Sequence, residues 1–83
     1  MKVRVLYFAR LRERFGVGEE SVECAGTTVA DLLVQLQARG GAWADELAAG
    51  RAFRVAVDQV IAPLDAALGE GAEVAIFPPV TGG

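Results

Sequence analysis

The clearest candidate for chemistry in this sequence is a carboxylate at the end of a narrow tail. An apolar run ends at Phe77 and is followed by six residues: Pro78, Pro79, Val80, Thr81, Gly82 and Gly83. Six extended residues reach roughly 20 Å. Because the two final glycines have no side chain, their backbone fits a channel that is too narrow for other residues. We therefore predict a folded body over residues 1–77 and an extended tail over residues 78–83 that presents the carboxylate of Gly83.

The composition gives little support to other kinds of reactive site. The chain contains no histidine, which excludes a histidine general base or metal ligand. Its one cysteine, Cys24, has no partner for an internal disulfide and is interpreted as a small apolar residue at a strand end. The formal net charge of −3 argues against nucleic acid as the main partner. No metal or cofactor is expected to bind this chain.

The length and hydrophobicity predict a single small domain. With 83 residues there is room for one domain, and a hydrophobic fraction of 53% is enough for a core without disulfides or metal. No apolar run approaches the length that spans a membrane, and Met1 leads into a strand rather than a signal peptide. Since a lone cysteine suits a reducing compartment, we expect a cytoplasmic protein that does not bind membranes.

Alternation along the chain predicts the strands that carry the tail. The first runs over residues 2–8, with Val3, Val5 and Tyr7 on one face and Lys2, Arg4, Leu6 and Phe8 on the other. The charges at its start mark this second face as the outer one. A strand over 20–24 is predicted at the sheet edge, antiparallel to the first. Strands over 53–57 and 60–62 flank a tight turn at 58–59, and the last strand covers 72–77.

Helical spacing predicts one long helix and several shorter turns. Thr28 and Asp31 fit a capping box, and an apolar stripe of Val29, Leu32, Leu33 and Leu36 follows. Arg39 and two glycines signal the end of this helix. A short helix is predicted over 9–15 with a stop at Gly16, and helical turns are predicted over 43–50 and 64–68. Trp43 is interpreted as a packing residue.

Two motifs resemble the small subunit of molybdopterin synthase. Residues 71–83, GAEVAIFPPVTGG, resemble the end of that family, and residues 7–13, YFARLRE, resemble its first strand and the helix that follows. The order and length of the elements between them also match, so the resemblance covers essentially the whole chain. It differs at Asp58, where family members often carry Asn, although either residue suits a turn.

The resemblance implies an α+β fold, the ubiquitin-like β-grasp. In that architecture the first and last strands lie parallel at the centre of a mixed sheet, and one long helix packs on one face. Periodicity alone supports only an α+β domain with a helix on one face of a sheet.

The resemblance also implies a sulfur carrier. An adenylating, E1-like activating enzyme uses ATP and magnesium to attach AMP to the carboxylate of Gly83, and a sulfur donor then displaces AMP to leave a thiocarboxylate. The loaded tail enters the large subunit, with which the carrier forms a heterotetramer. There the sulfur passes to cyclic pyranopterin monophosphate, and two transfers build the dithiolene of molybdopterin. In this reading the chain donates sulfur, and catalysis belongs to the large subunit.

Three alternatives remain open from the sequence. The chain could carry sulfur for thiamine thiazole, for tRNA thiolation or for cysteine synthesis. It could instead be a ubiquitin-like protein modifier whose Gly83 ends in an isopeptide bond. An interaction module without chemistry makes no use of a free Gly-Gly end. The helix after the first strand and the Phe-Pro-Pro sequence favour the molybdopterin pathway.

The alternation further predicts a partner surface next to the tail. If the first and last strands are parallel neighbours, Leu6 and Phe8 lie beside Ala75 and Phe77 on the outer face. Phe8 and Phe77 are then expected to dock on the large subunit, together with the tail residues Pro78, Pro79, Val80, Thr81 and Gly82. The alternative is that residues 9–15 fold over these side chains and bury them.

Overall fold

The computed structural model describes residues 1–79 and contains five strands and three helices in that range. In chain order they are β1 (Lys2–Tyr7), α1 (Ala9–Phe15), β2 (Glu19–Glu23), α2 (Val29–Gln37), α3 (Gly41–Glu46), β3 (Arg54–Val57), β4 (Val60–Ile61) and β5 (Glu73–Phe77).

The strands form one mixed sheet in the order β2-β1-β5-β3-β4. β1 and β5 pair in parallel, while β1 with β2, β3 with β4 and β3 with β5 pair antiparallel. The parallel register runs from Arg4 opposite Glu73 to Tyr7 opposite Ile76. The predicted arrangement, with the first and last strands parallel at the centre and the second strand at an edge, is therefore confirmed.

The core lies between the inner face of the sheet and α2. Val3, Val5 and Tyr7 of β1 are buried, as are Val74 and Ile76 of β5. The predicted stripe of α2 packs against them, and its four members are all buried: Val29, Leu32, Leu33 and Leu36. Burying an aliphatic side chain of this size contributes about 1.5–3 kcal/mol to the free energy of folding, so these two layers supply most of the hydrophobic stabilisation.

The capping box at the start of α2 is confirmed. Thr28 Oγ1 accepts a hydrogen bond from Asp31 N at 3.2 Å, and Asp31 Oδ2 accepts one from Thr28 N at 3.2 Å. Asp31 Oδ2 also accepts from Thr27 N at 3.0 Å. The pKa of Asp31 is held below its usual value, first by the hydrogen bond from Thr27 and then by those with Thr28.

The helical turn predicted over residues 64–68 was wrong. Instead, this segment lies beside the first turn of α2, where Leu64 O accepts from Ala30 N at 2.8 Å and Ala66 O accepts from Val29 N at 3.0 Å. Thr28 and Ala67 form an isolated bridge there. The first N–H groups of a helix have no partner within the helix. The carbonyl groups of Leu64 and Ala66 therefore accept from the first N–H groups of α2 and not from N–H groups of a local helical turn.

The predicted long helix is α2, and the helical turn predicted over residues 43–50 is found slightly earlier, as α3. α2 ends at Gln37, and Gly40, with φ of 78°, leads into α3. The packing role predicted for Trp43 is confirmed, because its ring stacks on Phe15 with centroids 3.8 Å apart and meets the ring of Tyr7 edge-on at 5.2 Å. α3 therefore ties α1 to the end of β1.

Candidate functional site

The tail leaves the sheet from its centre. Phe77, the last residue of β5, lies opposite Arg54 of β3, and on the other side Phe8 N donates to Ile76 O at 3.2 Å. Pro78 and Pro79 follow outside the strand and are partly buried. Because proline has no N–H to donate to a neighbouring strand, the ladder stops at this point. The chain is thus held on both sides up to the residue where the predicted tail begins.

The turn from β1 into α1 borders the exit, the point where the tail leaves the sheet. Phe8 is extended, with φ of −125° and ψ of 153°, and Ala9 takes a left-handed φ of 52° that non-glycine residues rarely adopt. α1 then packs on the inner side, where Leu11 is buried and the Phe15 ring meets the Tyr7 ring edge-on at 5.1 Å. Phe8 keeps 45% of its surface exposed.

The outer face of the sheet is charged at one end and apolar at the other. Arg4 Nη2 lies 2.6 Å from Glu73 Oε1, and Arg4 Nε lies 3.4 Å from Glu19 Oε2. Towards the tail the same face carries an apolar patch that consists of Leu6, Phe8, Ala75 and Phe77. Leu6 and Ala75 are paired in register, and all four residues are at least partly exposed and lie outside the core cluster.

Four of the predicted site residues fall outside the described range: Val80, Thr81, Gly82 and Gly83. What the structure positions is therefore the exit: Phe8, Phe77, Pro78 and Pro79. Within residues 1–79 there is no group of three or more acidic or cysteine side chains that could hold a metal ion. In the same range no helix is long and apolar enough to cross a membrane.

A buried carboxylate in α3 was not anticipated from the sequence. Glu46 is only 3% exposed, and its Oε1 accepts from Arg10 Nε and from Arg51 Nη2, both at 3.2 Å. Its Oε2 accepts from Arg14 Nε at 3.0 Å. Burial by itself would raise the pKa of Glu46, but the hydrogen bonds from Arg51 and Arg14 outweigh it and the pKa is lowered. The spacing of Arg10 and Arg14 on one face of α1 was the only sequence signal for this site.

A second polar network braces the end of β1 from the inner side. The hydroxyl of Tyr7 donates to Glu20 Oε2 at 2.7 Å, and Arg39 binds both oxygens of Glu20 at 2.8 and 3.1 Å. Burial, and then the bond to Glu20, raises the pKa of Tyr7. The guanidinium of Arg39 lies 4.4 Å from the centre of the Trp43 ring. These contacts fix the strand that borders the exit.

A comparison with known protein families matches residues 5–83 to the ThiS family. The chain belongs to the ThiS family. A relative, the molybdopterin synthase sulfur carrier subunit of Haemophilus influenzae, is 40% identical over 81 residues, which cover 98% of this chain and 99% of the relative. The family resemblance carried by the two terminal motifs is thereby confirmed.

Solved structures confirm the β-grasp fold of this ThiS-family chain. The crystal structure of SAMP1, a small archaeal modifier protein of Haloferax volcanii, has a TM-score of 0.81 and 30% identity and covers all of both chains. A chain in the BexX/CysO complex of Amycolatopsis orientalis has a TM-score of 0.69 and 30% identity, covering 98% of this chain and 99% of that one. The latter neighbour was solved in a complex of two proteins.

Proposed function

We propose that this chain is the sulfur-carrying small subunit of molybdopterin synthase. The observation that carries the proposal is the place of β5: it lies between β1 and β3, and it leads from the sheet centre directly into the Pro-Pro-Val-Thr-Gly-Gly tail. A rigid body over residues 1–77 then holds a narrow tail over residues 78–83 at a fixed point. The full-length likeness to a sulfur carrier subunit supports the same assignment.

The proposed reaction begins at the carboxylate of Gly83. A carboxylate oxygen attacks the α-phosphorus of ATP on the activating enzyme, and magnesium pyrophosphate leaves. The sulfur of a donor then attacks the acyl carbon of the mixed anhydride, and AMP leaves with its electron pair. With hydrosulfide as the donor, the proton on sulfur is lost to solvent, and Gly83 ends in a thiocarboxylate. Activation is required because a free carboxylate resists nucleophilic attack, whereas AMP is a good leaving group.

Sulfur transfer takes place in the large subunit. The loaded tail enters its channel, the sulfur passes to cyclic pyranopterin monophosphate, and hydrolysis returns Gly83 to a carboxylate for another cycle. Two cycles supply the two sulfurs of the dithiolene. Pro78 and Pro79 stiffen the start of the tail, and Val80, Thr81 and Gly82 contact the channel wall. This chain supplies the reagent, and the partner supplies the catalytic groups.

The apolar patch is proposed as the surface that docks the carrier. Phe8 and Phe77 lie on the outer face, away from the core cluster, and both adjoin the tail exit. Apolar surface of this kind at the edge of a functional segment commonly marks a binding site. Docking there would hold the tail at one fixed depth in the channel of the partner. The predicted cytoplasmic location, based on the single cysteine, belongs to this proposal as well.

A protein modifier is the second candidate, favoured by the likeness to SAMP1, which is named as a modifier. In that role the activated Gly83 would form an isopeptide bond with a lysine of another protein. Sulfur carriage for thiamine thiazole, tRNA thiolation or cysteine synthesis is the other alternative. All of these functions share activation at the tail. The modifier differs in the group that attacks activated Gly83, and the sulfur carriers differ in the molecule that accepts the sulfur.

Reconstitution tests the proposal. The chain is incubated with the activating enzyme, magnesium ATP and a sulfide donor, and it is then mixed with the large subunit and cyclic pyranopterin monophosphate. Formation of molybdopterin in proportion to the added carrier supports the proposed function. If the carrier becomes loaded with sulfur but the pterin stays unchanged while a known carrier converts it, the assignment to this pathway is wrong.

A further inference from the structure

Three arginine side chains gather on the buried carboxylate of α3. Arg10, Arg14 and Arg51 each donate to Glu46, and these three arginines are called the basic cluster. Arg14 also pairs with Asp45 at 3.1 Å. In the part of the chain that the structure describes, the cluster pairs with no other acid, so three guanidiniums face two carboxylates. One further carboxylate would balance the charge.

Two members of the cluster come from the chain on either side of the exit. β5 lies between β1 and β3. Arg10 comes three residues after the end of β1, and Arg51 comes three residues before the start of β3. Because β1 is parallel and β3 antiparallel to β5, both segments and the tail leave the sheet at the same end. Arg10 Nε and Arg51 Nη2 each lie 3.2 Å from Glu46 Oε1. The two guanidiniums therefore meet at the end of the sheet where the tail begins.

The cluster lies on the inner side of this end of the sheet. Its carboxylate belongs to α3, in which Trp43 packs on Tyr7, a residue of the inner face. Leu47, the next residue after Glu46, belongs to the core. The apolar patch occupies the outer face, since side chains alternate along β1 and β5. The cluster and the patch thus border the exit from opposite sides, and a partner on the patch does not cover the cluster.

The arginines keep donors for a further anion. Their side chains are 44–49% exposed, whereas that of Glu46 is 3% exposed. To side chains among the described residues, Arg10 and Arg51 each donate one hydrogen bond, and it goes to Glu46. A guanidinium has five N–H groups, so most of its donors remain for another acceptor. Because Glu46 already fixes each group, little rotamer freedom is left to lose when a carboxylate binds.

The end of this same chain carries a carboxylate within reach of the cluster. Four residues follow Pro79, the last described residue, and they span at most about 14 Å. Arg54 lies opposite Phe77, and the backbone from Arg54 to Arg51 spans at most about 11 Å. The last two residues are glycines, which turn at little steric cost. A tethered carboxylate has an effective concentration on the order of millimolar, an advantage that no separate anion has.

We propose that in the free chain the tail folds back to the inner side of the sheet and that the carboxylate of Gly83 binds Arg10 and Arg51. A thiocarboxylate has the same charge, so the same site holds a loaded tail. A tail held there must leave the cluster before it enters the channel of a partner, and docking therefore lowers the apparent affinity by the fraction of tails that are free. The contact is independent of the proposed function, since it requires neither adenylation nor sulfur.

Nuclear magnetic resonance of the whole free chain tests the contact. The backbone order parameter of the Gly83 amide is measured near pH 7 at about 20 mM salt, where exposed charges are weakly screened. We expect a value above about 0.6, the level below which a backbone is flexible. It should fall below this level in the variant with both Arg10→Gln and Arg51→Gln, and also in wild type at about 500 mM salt. Lys2→Gln, which removes a positive charge at the opposite end of β1, should leave it unchanged.

A second modification leaves the cluster intact. Conversion of the terminal carboxylate of Gly83 to a carboxamide removes the negative charge without touching Glu46, so it remains informative if the arginine variants fail to fold. It should lower the order parameter of Gly83 as the double variant does and leave the melting temperature unchanged.

Three results would overturn the contact. The first is a flexible Gly83 in wild type at low salt, and the second is an equal order parameter in wild type and the carboxamide. The third is an order parameter that falls on dilution from about 1 mM to about 0.1 mM protein, because a tethered tail does not respond to dilution and the tail of a second copy does. None of these results affects the proposed function, which the reconstitution decides separately.

Discussion

Tyr7 lies opposite Ile76 in the parallel register of β1 and β5, and both side chains are buried. The residues that follow them, Phe8 and Phe77, point to the other face because side chains alternate along a strand. They emerge together at the end of the sheet, where β1 turns into α1 and β5 continues into the tail. A partner that binds this end would contact both rings and receive the tail from between the neighbouring strands.

Phe77→Ala is expected to weaken the complex with the large subunit more than it destabilises the monomer. Truncation of a well-buried interface anchor costs at least about 2 kcal/mol, roughly thirtyfold in affinity. Phe77 is only partly buried in the free chain, so its loss should lower the free energy of unfolding by less. Calorimetric titration and thermal melts measure the two effects.

Val34→Ala is the control for this experiment, since Val34 is an apolar residue, 66% exposed, of α2, the helix that packs on the sheet face opposite to the apolar patch. It should leave affinity unchanged. An unchanged affinity for Phe77→Ala together with a collapsed melting temperature would mean that Phe77 serves the core and that the apolar patch does not bind.

One extra alanine after Gly83 should abolish sulfur transfer and leave the fold intact. The reacting carbon must lie at a fixed distance from the strand end, and one residue moves it by about 3.5 Å. Pterin conversion and the melting temperature are measured on the same sample, with the added residue confirmed by mass. Full conversion with the alanine still attached would refute the fixed-length tail.

Gly82→Ala should impair activation or transfer without affecting stability. Gly82 follows the last strand by five residues, so a methyl group there is expected to change the free energy of unfolding by no more than about 0.5 kcal/mol. In a channel shaped for bare backbone the same methyl collides with the wall, and adenylation should fall at least about tenfold. Gly69→Ala, which adds the same methyl group where a Cβ would meet nothing within 4 Å, is the control. Activity equal to wild type would argue against a narrow channel.

Glu46→Gln should lower stability at neutral pH by about 1–2 kcal/mol, because three guanidiniums lose the carboxylate between them. The pKa of Glu46 is lowered in the folded state, so its contribution is present above the unfolded value of about 4.3 and is lost as the pH falls through the folded pKa. The difference between wild type and Glu46→Gln should therefore shrink in acid. Urea unfolding at about pH 7 and pH 3.5 measures it, and a difference that stays constant would contradict the role of Glu46.

Local patterns in the sequence were sufficient to predict most of the sheet and α2. Alternation identified Val3, Val5 and Tyr7 as the inner face of β1, and the pairing of Thr28 with Asp31 located the start of α2. The tight turn between β3 and β4 was also correct, with positive φ at both Asp58 and Gln59. These features depend on neighbours in the chain, so their signal is contained in a short window.

Features that depend on distant segments were not predictable in this way. Residues 64–68 look helical locally, but their carbonyls satisfy the first N–H groups of α2, more than thirty positions away. In the sequence Glu46 resembles an ordinary surface acid of a short helix. It is buried because Arg10 and Arg14 of α1 and Arg51 of a loop, which are distant in sequence or lie beyond the helix, all bind its carboxylate. The strand order likewise came from the family resemblance, because periodicity cannot decide which strands are neighbours.

The mass of the native protein tests the central claim most directly. Cleavage after Arg54 gives peptide 55–83, which contains the tail but not Cys24, so sulfur on the cysteine is not confused with sulfur at the terminus. A sulfur carrier isolated from its cells should yield a fraction of this peptide heavier by about 16 Da, the difference between sulfur and oxygen, with the change located at Gly83. Sulfur carriage would be contradicted if the free peptide always had its unmodified mass and the rest of the protein were joined through Gly83 to lysines of other proteins.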